Sequence, residues 1–239
     1  MTLPWRTVDT AETDEGLMTL VQRGEREFAI KMKSFILMNS RLNLTEIALA
    51  ESACTGLGSR RRPRVLIGGL GMAFTLKAAL DALPPDARVI VAEINPVIER
   101  WCHGPLRDLT DGAVEDPRVE VRIGDVAEVI AQAGRGQNSY DAIILDLYQG
   151  THDANDDPDD PFYGRRALET TRKALSDDGV FAVWTEFADP TFEKRLRTVG
   201  FDCRRTSPGK GGPRHIVYLA TKIAGRGSGS RGIKPTGRG

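Results

Sequence analysis

Three glycines within four positions, Gly68, Gly69 and Gly71, directly follow the apolar run Val65-Leu66-Ile67. Few short stretches restrict a fold as much. The run is short, uncharged and partly β-branched, the pattern of a strand buried on both faces. Glycine then admits positive φ and lets a ligand approach the backbone. A helical pattern begins near Met72 and continues through Leu76, Ala79 and Leu80 to Pro84. Strand, glycine turn and helix N-terminus together form a nucleotide cradle. Taken alone, the stretch also fits an ordinary tight βα turn, because a glycine-rich turn is a weak signal.

The strands that follow favour the cradle. Residues 88–92 read as a second strand with Glu93 at its end. An acid there, more than 20 positions past the glycines, is placed to bind ribose hydroxyls. Residues 119–123 read as a third strand, followed by Gly124 and Asp125, whose carboxylate can accept a hydrogen bond from an adenine amino group. Residues 141–145 read as a fourth, with Asp146 at its carboxyl end. One such acid could be a helix N-cap. Three in register with a glycine turn mark the crevice that forms at the carboxyl ends of strands in an open α/β sheet.

Composition excludes several classes. Basic and acidic residues balance at 33 each, so no bulk charge draws the chain to nucleic acid or membrane. No apolar run reaches the roughly 18 residues of a membrane span, and the N-terminus lacks the pattern of a signal peptide. Cys54, Cys102 and Cys203 are odd in number and far apart, which suggests a reducing cytoplasm. Cys102-His103 has no second pair at ligand spacing, so no metal site is expected.

In chain order, residues 1–15 read as loose and polar apart from Trp5. Residues 17–22 and 27–32 alternate around Arg23-Gly24-Glu25, a hairpin signal, and 34–38 read as a third strand. Asn43, with Glu46 three positions on, resembles a capping box for a helix ending near Cys54. Residues 59–63 are a basic linker, read as a solvated connector. Helices are expected over 96–106, 127–133, 162–175 and 190–199, and a fifth buried strand over 179–184. A terminal antiparallel hairpin is expected over 201–205 and 215–220, with His215 a strand residue that has a local partner. Residues 151–161 carry five aspartates and two prolines. They read as a solvated loop or as a lid that attracts a cationic substrate. This gives a small β-hairpin region plus helix (1–60), a nucleotide-binding domain (61–222) and a disordered Gly/Arg tail (223–239).

The third glycine of the dinucleotide pattern is absent, since Phe74 follows Ala73. That absence, the acid ending the third strand and the terminal hairpin favour an adenosyl sulfonium ligand over NAD. Residues from about 17 to 222 resemble the spermidine synthase family of aminopropyltransferases. The matching stretches are 65–69, 91–94, 116–119, 124–126 and 140–146, with Phe162-Tyr163 similar to the family's Phe-Tyr segment. The resemblance implies an α/β fold: a doubly wound, mostly parallel seven-stranded methyltransferase-like Rossmann sheet of order 3-2-1-4-5-7-6, preceded by a small β unit. It implies that Gly68, Gly69, Gly71, Glu93 and Asp125 form the nucleoside site, with Glu93 on the ribose and Asp125 on the adenine. Asp146 would hold the attacking amine and act as its base, and Tyr148 and Gln149 would position it. The co-substrate would be S-adenosylmethionine or its decarboxylated form, with no metal, and the acceptor a small amine in polyamine biosynthesis. The family is often dimeric, so a homodimer is implied too. Three features depart from the family, one being that nothing around residues 38–46 matches its N-terminal glutamine and acidic run that grip the diamine. Gly71 replaces the acid that faces the aminopropyl amine, and Gln149 replaces the second acid of Asp-x-x-Asp. The alternatives are a methyltransferase and a non-catalytic nucleoside- or polyamine-binding protein of the same fold.

Overall fold

A computed structural model describes residues 3–136, 139–148, 151, 157–208 and 215–223. Four antiparallel strands come first, paired in sequence order: β1 (Arg6–Thr13), β2 (Gly16–Arg23), β3 (Glu27–Met32) and β4 (Phe35–Asn39). Residues 6–13 are thus a strand and not the loose segment expected. β1 is an edge strand exposed along much of its length, so it carries no apolar period to read. Main-chain pairing with β2 holds it. So does Asp9, whose Oδ2 accepts hydrogen bonds from Trp101 Nε1 at 2.7 Å and Arg100 Nη2 at 2.8 Å.

Helix α1 (Leu44–Cys54) leads through a short turn to the second sheet. Asn43 stands at its N-cap position but makes no side-chain cap, because its backbone (φ −122°, ψ 6°) lacks the extended form a cap requires. The capping-box reading therefore fails, and Glu46 takes up a different role described below. The linker is also more than a solvated connector. Arg60 Nη1 pairs with Asp141 Oδ1 at 2.6 Å, and the other oxygen of Asp141 accepts the Arg64 N–H at 2.9 Å. One aspartate on the sheet thereby fixes where the linker enters it.

The large sheet contains β5 (Arg64–Gly68), β6 (Arg88–Glu93), β7 (Val119–Ile123), β8 (Tyr140–Leu145), β9 (Leu175–Thr185), β10 (Phe201–Thr206) and β11 (Ile216–Lys222). Its order is β10-β11-β9-β8-β5-β6-β7, with β5 to β9 parallel and β11 antiparallel to its neighbours. Counted from β5, that is the order 3-2-1-4-5-7-6 expected. Strand alternation sends Val65 and Ile67 to one face and Leu66 to the other. The first face packs with α1, α2 (Phe74–Ala82), α3 (Pro96–His103) and the small sheet, through Leu49, Leu76, Trp101, Leu20 and Ile30. The second packs with α4 (Val126–Arg135), α5 (Arg165–Ala174) and α6 (Pro190–Thr198), through Val126, Leu168 and Phe192.

Several boundaries moved. α2 starts at Phe74 rather than Met72, because Ala73 (φ 64°) is left-handed and cannot belong to the helix. α3 ends at His103, and α4 runs through Gly134 to Arg135. α5 starts at Arg165. The residues before it are held in a turn by Asp160, whose Oδ1 accepts the N–H groups of Phe162 and Tyr163 at 2.9 and 2.6 Å. β9 begins at Leu175, where it pairs with Tyr140. Of the acidic loop, Asp153 and Asp156 lie outside the described residues, as does the tail from residue 224. Asp157 accepts the Asp159 N–H and Asp159 pairs with Arg166, so the described acids shape the turn themselves. No helix among the described residues is long and apolar enough to cross a membrane.

Candidate active site

The loop after β5 is the floor of a cavity of about 320 Å³ that opens at the carboxyl ends of the strands. Gly69 has φ +86°, and a Cβ on it would lie 2.5 Å from the Asp146 carbonyl oxygen. No other residue fits, since the chain must pass against the end of β8. Asp146 N–H in turn donates to Gly68 O at 2.9 Å. Gly68 is buried below the cavity, where a Cβ would strike Leu145 and Val126. Gly71 (φ +52°) lines the cavity directly.

Glu93 is 6 % exposed at the tip of β6. Its Oε2 accepts the Leu70 N–H at 2.9 Å and its Oε1 the Asn95 N–H at 2.8 Å. It clamps the glycine turn to the start of α3. Burial raises its pKa, while the backbone donors around it favour the charged form. Glu93 also lines the cavity. Asp125 is the N-cap of α4, its Oδ1 accepting the Ala127 N–H at 2.8 Å, and it lines the same cavity. Both acids expected to bind nucleoside therefore also have a structural role.

Asp146 follows β8 and faces the cavity. Its Oδ2 accepts the Thr75 hydroxyl at 2.5 Å. Burial pushes its pKa up, opposed by Thr75 and by the indole of Trp184. That indole Nε1 is buried and has no hydrogen bond of ordinary length. Glu46, read from the sequence only as part of a capping box, stands near Asp146 instead. It lies half-buried in the first turn of α1, and burial together with the neighbouring Asp146 carboxylate pushes its pKa up to about 7. Among the described residues, no cation figures in the groups acting on either carboxylate. α1 is held over β9 by Thr45, whose Oγ1 meets His215 Nδ1 at 2.8 Å, with the His215 ring 5.2 Å from that of Trp184. His215 precedes β11 instead of lying in it, and its side-chain partners come from α1 and β9, not from its own hairpin. Thr75 and Glu46 act on Asp146 from α2 and α1, more than 70 residues away in sequence, and no local pattern announces either.

Tyr148 lines the cavity and donates its hydroxyl to Glu15, in the β1–β2 turn. Gln149 lies outside the described residues. No group of three or more His, Cys, Asp or Glu among the described residues is arranged to hold a metal ion.

Residues 80–198 match the spermine/spermidine synthase domain. A polyamine aminopropyltransferase of Clostridium tetani is 28% identical over 135 residues, 56% of this chain and 45% of that protein. Another, from Pyrobaculum calidifontis, is 31% identical over 125 residues, 52% of this chain and 42% of that protein. The chain belongs to the spermine/spermidine synthase family. In each of these curated relatives the matched stretch of this family member is less than half of the protein's length. Among solved structures, spermidine synthase from Thermotoga maritima superposes with a TM-score of 0.70 at 20% identity, covering 91% of this chain and 73% of that one. A spermidine synthase in complex with the transition state analogue AdoDATO gives 0.69 at 19%, covering 91% and 72%. At such identities the superpositions establish the shared fold. Within it, this synthase-family chain has Gly71 and Met38 in contact on the cavity floor. A Cβ on Gly71 would lie 2.6 Å from Met38 Cε.

Proposed function

We propose that the chain is an amine alkyltransferase that moves an aminopropyl group from decarboxylated S-adenosylmethionine to a small amine. The observation that carries this reading is the position of Asp146. It is a carboxylate of raised pKa on the strand crest, beside the glycine turn and facing the cavity that Glu93 and Asp125 also line. Family membership supports the reaction class. In this reading residues 61–222 supply the nucleoside crest, with Glu93 on the ribose and Asp125 on the adenine, and residues 1–60 close the cavity from above.

The chemistry follows from the charges. An alkylammonium titrates near pH 10, as lysine does, and is protonated at neutral pH. Asp146 orients it and takes one proton, which is general-base work worth about 10²–10⁴-fold. The nitrogen lone pair then forms the C–N bond as the C–S bond breaks. The C–S electron pair stays on sulfur and turns the sulfonium into a neutral thioether, which leaves without protonation. Burial raises the basicity of Asp146 toward that of the amine, which is the useful direction.

Gly71 favours one second reading. With no carboxylate at that position to hold the donor's ammonium, S-adenosylmethionine itself becomes the rival donor, transferring methyl. Calorimetry with S-adenosylmethionine, its decarboxylated form, methylthioadenosine and NAD, followed by transfer assays with each donor, separates the readings. Tight NAD binding with none of the others would remove both.

A further inference from the structure

One buried donor beside Asp146 has no partner of its own among the described residues. β8 and β9 run parallel with Leu145 opposite Val183, so the next residues along, Asp146 and Trp184, stand side by side. Trp184 packs on the face of the sheet that α1 and α2 cover. Its indole N–H can only donate. The Nε1 atom is buried without a hydrogen bond of ordinary length, yet it lies close enough to Asp146 to favour the charged carboxylate. A buried donor left unpaired needs a reason. The indole is also held in place. The His215 ring lies 5.2 Å away, tilted by 45°, and His215 Nδ1 meets Thr45 Oγ1 at 2.8 Å, which ties the pair of rings to α1. From α2, Thr75 donates its hydroxyl to Asp146 Oδ2. Asp146 therefore has one neutral donor on it and a second beside it, and no cation among the described residues acts on it. Burial favours the neutral acid, which cannot take a proton from an ammonium, so neutral donors must keep the carboxylate charged. Catalytic hydrogen bonds of this kind are often long in the free protein and tighten in the substrate complex.

We propose that Trp184 is a positioning residue for Asp146, its indole N–H completing with the Thr75 hydroxyl a two-donor grip that holds the base charged and facing the cavity. This rests on the amine-alkylation reading and adds a residue to its machinery. The step is the one derived above: the ammonium proton passes to Asp146, and the C–N bond forms as the C–S bond breaks. Trp184 neither gives nor takes a proton. It is not among the residues that line the cavity, so it acts on the reaction through Asp146. His215 and Thr45 fix the indole in turn, which gives the contact between α1 and the end of β9 a part in setting the base.

Trp184→Phe keeps an aromatic ring against His215 and removes the N–H. In the full chain, transfer from decarboxylated S-adenosylmethionine to n-butylamine and to 1,4-diaminobutane is measured beside calorimetric binding of methylthioadenosine. With whichever amine the parent uses, kcat should fall roughly tenfold or more, while the Kd of methylthioadenosine stays within about threefold. A second measurement keeps Trp184 in place, so it reads the contact even where Trp184→Phe folds poorly. Isotope-labelled protein gives one indole N–H resonance for each of the three tryptophans. Asp146→Ala should shift the Trp184 resonance and speed its exchange with water, and leave those of Trp5 and Trp101 where they are. A Trp184 resonance that Asp146→Ala does not move overturns the proposal, and so does a folded Trp184→Phe protein with the kcat of the parent. A parent that transfers to neither amine, with the Trp184 resonance shifted by Asp146→Ala, instead overturns the transferase reading and leaves the contact standing.

Discussion

The two sides of the cavity are held in place in different ways. On the proposed nucleoside side, Glu93 and Asp125 are fixed by main-chain donors a few residues away or on the neighbouring loop: Leu70, Asn95 and Ala127. On the other side, Asp146 is fixed by the side chain of Thr75 and is surrounded by Trp184 and Glu46, with Met38 and Ile30 on the opposite wall. The first arrangement depends on the backbone path of a β-turn-α unit and suits a nucleoside. The second is assembled from side chains on five elements and decides what else enters. A fold of this kind can hold its nucleoside end constant while the facing end is rebuilt by a few substitutions.

The sharpest way to break that division is Asp146→Asn, which is nearly isosteric but cannot act as a carboxylate base. Transfer to an amine should fall by about 10²–10⁴-fold while methylthioadenosine affinity changes by less than about threefold. Single-turnover assays and calorimetry on the same preparation read both. An unchanged transfer rate would take Asp146 out of the chemistry. A parallel loss of nucleoside affinity would mean that the two sides are one unit.

Glu93→Gln addresses the other side. Both of its oxygens accept backbone N–H groups, and a glutamine must turn its NH₂ toward one of them. One buried donor is left facing another donor, a cost of about 1–3 kcal/mol. The unfolding free energy from urea titration should drop by that amount, and nucleoside binding should weaken with it. Stability equal to that of the parent would show that the clamp between the glycine turn and α3 does not need the charge.

What could be read from the sequence divides along the same line. Val65-Leu66-Ile67 and the run at 141–145 are buried on both faces, so their composition alone marks them as central strands, and an acid just past such a strand must sit on the crest. The sheet order came with the resemblance. Met38, Thr75 and Glu46 could not be read in this way. Each matters through a contact across more than 30 residues of chain, and each sits in a locally ordinary setting: a strand end, the second residue of a helix, a helix first turn. The position of Glu46 even suggested a capping box, because the pattern is local while the contact that wins is not. β1 was missed for a related reason, since an exposed edge strand is held by main-chain pairing and has no apolar face to show.

Glu46 offers a test of how closely the facing side is packed. Its pKa is about 7 when folded against 4.5 for an unperturbed glutamate, so between those values the folded chain binds more protons than the unfolded one. Stability should therefore fall as pH rises from about 4.5 to 7 and stay lower above that. Asp146, raised in the same direction, adds to the same slope. Glu46→Gln should flatten the profile and make the protein more stable than the parent at pH 8, by roughly 1–3 kcal/mol. Urea unfolding at pH 5, 6, 7 and 8 reads it. Parallel profiles for the two proteins would place Glu46 in water rather than against Asp146.

The smallest effect separates the two roles of Asp125. As the N-cap of α4 it accepts the Ala127 N–H, and removing such a cap costs about 0.5–2 kcal/mol. Asparagine caps nearly as well as aspartate, so Asp125→Asn should leave the urea midpoint close to that of the parent while Asp125→Ala lowers it. The proposed contact with an adenine amino group behaves differently. An asparagine whose oxygen is held by the Ala127 N–H can turn its NH₂ toward the ligand, setting a donor against a donor. The loss should be about 1 kcal/mol, roughly fivefold in methylthioadenosine affinity. The two variants together give a pattern that neither gives alone: stability lost only with alanine, affinity lost with both. If asparagine preserves affinity as well as stability, Asp125 is a cap and nothing more. The nucleoside side of the cavity would then rest on the glycine turn and Glu93, and its rigidity would come from main-chain geometry without help from a base-reading carboxylate.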